Sequence, residues 1–93
     1  MEIIALSKAY KFEDCEPVNE INIDLDGLTG SDILDIIDLL QAQGHVSVQT
    51  SLDNKVHAAL AARAIARPVE FINNLPARDF VKVCQKVQNF LLA

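Results

Sequence analysis

Pro68 and Pro76 constrain this chain more than any other feature, because they cut its last third, RPVEFINNLPARDFVKVCQKVQNFLLA, into two helical pieces. A proline has no backbone N–H and a fixed φ, so it closes the helix before it and can open the next. After Pro76, apolar side chains recur at Phe80, Val83, Cys84, Val87, Phe90 and Leu91. That spacing is the stripe of an amphipathic helix over residues 76–92. Arg78, Asp79, Lys82, Gln85, Lys86 and Asn89 fall mostly between the apolar positions. Between the prolines, Val69, Phe71, Ile72 and Leu75 anchor a short helix over 68–75, which Asn73 or Asn74 stops.

Upstream of Pro68 the segment SLDNKVHAALAARAIA holds six alanines, Ala58, Ala59, Ala61, Ala62, Ala64 and Ala66. Alanine has the best helix propensity and lets a second helix approach closely. The spacing predicts a helix over 51–67, with Ser51 as N-cap, Asp53 in the first turn and its end set by Pro68. Leu52, Val56, Ala59, Leu60 and Arg63 share one face, while Ala61, Ala64 and Ile65 widen the apolar surface. This helix is expected at the centre, touched from more than one side.

A further helix is predicted over 31–43. Thr29 and Ser31 are capping residue types, Asp32 suits the positive end of a helix, and Gly44 supplies a left-handed stop. Ile33, Ile36, Ile37 and Leu40 form its stripe, broadened by Leu34 and Leu39. Asp32, Asp35 and Asp38 recur every third residue; they make a solvated face rather than a carboxylate ladder for a metal.

The first 26 residues read as a β-hairpin. Ile21, Ile23 and Leu25 alternate with Asn22 and Asp24, as on a half-buried strand. Ile4, Leu6, Tyr10 and Phe12 share one parity with Lys8, and the better alternation lies in 8–12 rather than 2–6. Glu13 to Pro17 is a polar turn. Two strands are marginal alone in water, so their apolar face must rest on the helices. The expected fold is therefore α+β and mainly α: a hairpin packed on three longer helices and one short one, in a single domain spanning residues 1–93. The 44–50 connector has no helical period; Val46 and Val48 offer an edge to a partner strand, though a plain loop is the simpler reading.

Charge and chemistry exclude several function classes. The net charge is −5, and eight Lys+Arg are too few and scattered to neutralise many phosphates, which argues against nucleic acid. No apolar run approaches the roughly 20 residues of a membrane span, and the acidic opening with its short apolar run is unlike a secretory signal. Cys15 and Cys84, far apart, suggest reduced thiols in a cytosolic protein. Asp53 and His57 are spaced i,i+4 and could pair, but no nucleophile or oxyanion cradle accompanies them. No close-spaced Cys or His pair supplies a zinc site, and Asp24–Leu25–Asp26–Gly27 misplaces the glycine and the later acid of a calcium loop. No catalytic, cofactor or metal residues are expected.

Four segments, in order, resemble the phage tail assembly chaperones, the small proteins encoded between the tail tube and tape-measure genes of long-tailed phages. They are YKFEDCEPVNEINIDLDGL (10–28), LTGSDILDI (28–36), AALAARAIARPVEFINNLPARDF (58–80) with its R-P-x-E-F and L-P-x-x-D-F punctuation, and the closing V-x-x-F-L of 87–91. The GHVSVQT connector matches no part of that pattern. The resemblance implies a non-enzymatic chaperone in the cytoplasm of a bacterial host. It would bind the long, helical, apolar tape-measure protein, keep it soluble, self-associate, and leave before the virion is complete. A frameshift-extended form would recruit tail tube protein. A small helical domain could grip such a partner in a groove between amphipathic helices. The candidate partner-binding residues are Val46, Val48, Ala61, Ile65, Phe90, Leu91 and Leu92. The rival readings are a small acidic module, antitoxin- or inhibitor-like, that neutralises a basic partner, and a structural tail component.

Overall fold

The computed structural model describes residues 2–45, 49 and 52–92. Two antiparallel strands, β1 (Glu2–Tyr10) and β2 (Val18–Ile23), form the hairpin. A single 3-10 turn, Leu25–Gly27, leads to α1 (Gly30–Ala42), followed by α2 (Asn54–Ala64), α3 (Val69–Asn73) and α4 (Ala77–Leu92). The chain is an α+β fold, mainly α, with the hairpin at its N-terminal end.

The hairpin is regular where the sequence pattern looked weakest. Residues 2–5 pair with 23–20 in register, with Ile4 opposite Ile21; the pairing then slips, and Tyr10 meets Val18. The bulge between Ala5 and Tyr10 breaks the alternation and frees a backbone donor. That donor, the Ser7 N–H, turns to the Asp79 carboxylate on α4 at 2.9 Å, and the Ser7 hydroxyl donates to the other carboxylate oxygen at 2.9 Å. Asp79 is wholly buried. Lys82, one turn on, donates to the Ala5 carbonyl at 3.0 Å, so α4 straps the irregular part of β1.

At its other end the hairpin docks through aromatic rings. Tyr10 and Phe12 each meet Phe71 of α3 edge-on, with centroids 5.3 and 5.4 Å apart. The Tyr10 hydroxyl donates to the Phe71 carbonyl at 2.8 Å, and burial raises its phenol pKa.

α1 starts as predicted. The Thr29 hydroxyl accepts the Asp32 N–H, and the Asp32 carboxylate accepts the Thr29 N–H at 2.7 Å, a reciprocal cap. That backbone donor is the main reason the Asp32 carboxyl is held below its ordinary pKa. Asp32 and Asp35 also reach Arg63 of α2 at 2.8 and 3.2 Å, so this acidic face is not wholly given to water. α1 stops at Gly44, with φ of 87°; His45 N–H returns to the Leu40 carbonyl and Gly44 N–H to that of Gln41.

α2 is the central helix and packs against α1, α3, α4 and the 3-10 turn. Val56 to Ala62 are buried without a break, His57 among them. Its bounds differ from the expectation of 51–67. Asp53 caps it, accepting the Lys55 N–H at 2.9 Å, with its carboxylate also 2.6 Å from the His45 ring; Ser51 lies outside the described residues. The helix ends at Ala64, before Pro68, in the same terminating motif as α1: Arg67 N–H bonds to the Ala62 carbonyl and Ala66 N–H to that of Arg63. Here, however, the left-handed position is held by an alanine, with φ of 56°. An L-residue there costs on the order of 1 kcal/mol relative to glycine. Ala66→Gly should therefore raise the urea midpoint by about that stability, with an unchanged denaturant slope; a lower midpoint would refute the assignment of this turn.

α4 places Val83, Cys84 and Val87 in the core, with Phe80, Phe90 and Leu91 packed at its edge. Burial pushes the Cys84 thiol up to about 11, in keeping with its place in the apolar stripe of α4.

Candidate partner-binding cleft

Apolar surface is left over. α1 carries six aliphatic side chains, yet only Ile36 among them is buried; Leu34 is 62% and Leu39 53% exposed. The cause is geometric. α1 lies against α2 alone among the helices it contacts closely, and its ion pairs with Arg63 tie down only the N-terminal half. Toward its C-terminal end a cleft of about 420 Å³ opens between α1, α2 and α3. Ile36, Leu39, Leu40 and Gln43 form one wall, at the i, i+3, i+4, i+7 spacing of a single helix face. Val69 and Asn73 of α3 form the other. Ala59 and Ala62 of α2 make the floor, where the absence of bulk creates the depth. Lys55, Arg63 and Arg67 stand at the rim.

The cleft continues. Lys55 and Asn73 also line a second depression with Asn54, Leu75, Ala77 and Phe80. Asn54 and Phe80 line a third with Val81, Cys84, Gln85 and Gln88 on α4. The three depressions share lining residues in sequence and are together the furrow beside α2.

The residues expected to bind a partner are distributed otherwise. Ala61 is fully buried and is corrected to a core position: it lies on the side of α2 turned into the domain, and its neighbours Ala59 and Ala62 face the cleft. Ile65 is half-buried against the core, as are Phe90 and Leu91, while Leu92 is 56% exposed. None of these lines the furrow. Val46 and Val48 lie outside the described residues. The sequence did carry one signal for the cleft, the surplus aliphatic Leu39 broadening the α1 stripe.

Among the described residues, no three or more His, Cys, Asp or Glu side chains are grouped to hold a metal, and no helix is long and apolar enough to cross a membrane. The chain finds no match among protein-family models, curated proteins or solved structures.

Proposed function

We propose that this chain is a non-enzymatic assembly chaperone of a long-tailed phage or prophage, which binds the tape-measure protein and keeps it soluble while the tail is built. The observation that supports this reading is the cleft floored by Ala59 and Ala62 and walled by Ile36, Leu39 and Leu40 of α1, with Leu39 exposed. A long helical partner has an apolar stripe to hide, and a groove between helices takes such a stripe through anchors about one turn apart. The segment order described above supplies the identity of that partner. One small domain covers little of a long rod, so many copies must act together, and self-association belongs to the proposal. So do the work in the host cytoplasm, the release before the virion is complete, and an extended form that recruits tail tube protein.

The test is co-expression with the tape-measure protein of the same phage or prophage. With it, the partner should stay in the soluble fraction and copurify; with Leu39→Glu, which puts a charge on an already exposed wall position, it should pellet. A partner equally soluble without this chain would refute the reading, and mass spectrometry finding the chain in finished particles would favour a structural component instead.

A further inference from the structure

The charge on the cleft opposes the charge on the molecule. The chain has 13 Asp+Glu against 8 Lys+Arg, yet among the described residues three cations line the cleft and no acid does. The rest of the furrow adds no carboxylate. The three cations are not equivalent. Arg63 is matched by Asp32 and Asp35. Arg67 lies over the Phe71 ring at 4.9 Å and donates to the Cys15 sulfur at 3.2 Å, and among the described residues neither it nor Lys55 forms an ion pair with a carboxylate. Lys55 lies in the first turn of α2, and Arg67 follows its C-terminal end. From Lys55 to Arg63 the helix runs two turns, about 12 Å.

We infer that the cleft takes an acidic amphipathic helix: apolar side chains at i, i+3 and i+7 seat over Ala59 and Ala62, and carboxylates flanking that stripe meet Lys55 and Arg67. A floor of alanines lets the incoming backbone come close, as between packed helices. The two uncompensated cations then select for acids at the ends of the stripe, and a basic helix is refused by the same charges. The inference takes from the preceding reading only that the partner is a helical polypeptide, and it adds which kind.

The test uses the full chain and two synthetic helical peptides of roughly 18 residues, long enough to be helical when alanine-rich. They share one leucine stripe and differ only in flanks, glutamate in one and lysine in the other. Binding is followed by fluorescence anisotropy. The protein's overall charge of −5 would draw in the lysine peptide, so the two expectations have opposite signs. The glutamate peptide should bind at least about tenfold tighter at low salt, with the gap closing near 1 M salt, where the Debye length falls to about 3 Å. Lys55→Glu with Arg67→Glu should reverse the preference. Lys55→Glu alone, which leaves the Arg67–Phe71 contact intact, should remove most of it, and Leu39→Glu should weaken both peptides.

Equal binding, tighter binding of the lysine peptide, no binding of either, or a preference indifferent to Lys55→Glu would each overturn the inference. So would a concentration-dependent dimer that Leu39→Glu dissolves, since a second copy would then fill the cleft. Because neither peptide carries tape-measure sequence, failed co-expression leaves this result standing, and lost charge preference leaves the chaperone reading standing.

Discussion

Replacing Asp79 by alanine should cost roughly 3 kcal/mol of stability and lower Tm by about 15 °C, a large loss for one side chain in a domain of this size. Asp79 has no exposed surface, and its two oxygens accept the Ser7 N–H and the Ser7 hydroxyl, both at 2.9 Å. Hydrogen bonds to an ionised acceptor contribute about 1.5–3 kcal/mol each, part of which is offset by relief from burying a charge. The Ser7 N–H has left the strand ladder at the bulge, so without the carboxylate it loses its acceptor. Lys82, 4.0 Å away and half exposed, keeps its bond to the Ala5 carbonyl and loses little. Asp79→Asn keeps the shape and an oxygen for the N–H and should lose only about 1 kcal/mol. The decisive measurement is a double-mutant cycle with Ser7→Ala by urea unfolding. A coupling energy of about 1 kcal/mol or more is expected; strictly additive losses would mean that the two residues act separately.

The same pair shows where sequence reasoning stops. Asp79 lies one turn before Val83, at the edge of the apolar stripe, but its partner lies 72 residues away in a strand whose alternation fails. Local pattern holds no record of such a pairing. The parts that were legible are those whose cause is local. Thr29 and Asp32 cap α1 because their side chains reach the first turn; Gly44 stops it because glycine tolerates positive φ; Ile21 and Ile23 point inward because a strand alternates, while Leu25, expected to continue that strand, is buried from the 3-10 turn. α2 was legible as a helix and as the centre of the domain, but not in its facing. A run of alanines has almost no contrast between sides, so Ala61 could not be told from Ala59 or Ala62 without knowing where α1 and α3 lie. Its end was misplaced for a related reason: Pro68 marked the last residue at which a helix could stop, while the strained turn at Ala66 stopped it earlier.

Phe71→Ala should be the most damaging core change at the junction of hairpin and helices, with a loss of about 4 kcal/mol. Truncating a buried phenylalanine typically costs about 3–5 kcal/mol, and here two edge-on rings lose their partner as well, at about 0.5–1.5 kcal/mol each. Against a total stability of about 5–14 kcal/mol for a chain of this length, that leaves a marginal fold. Phe71→Leu fills most of the volume and should lose about half as much. Tyr10→Phe isolates the third component, because α3 is a five-residue helix whose last carbonyls have no partner within it, and the Tyr10 hydroxyl supplies one to Phe71. That change should cost about 1 kcal/mol. The chain holds one tyrosine and no tryptophan, so intrinsic fluorescence reports this junction directly. In Phe71→Leu, the tyrosine signal should change in the native state while helical circular dichroism stays near wild type. An unchanged tyrosine environment would mean that the hairpin does not rest on Phe71, and the packing that closes the N-terminal side of the core would have to be drawn differently.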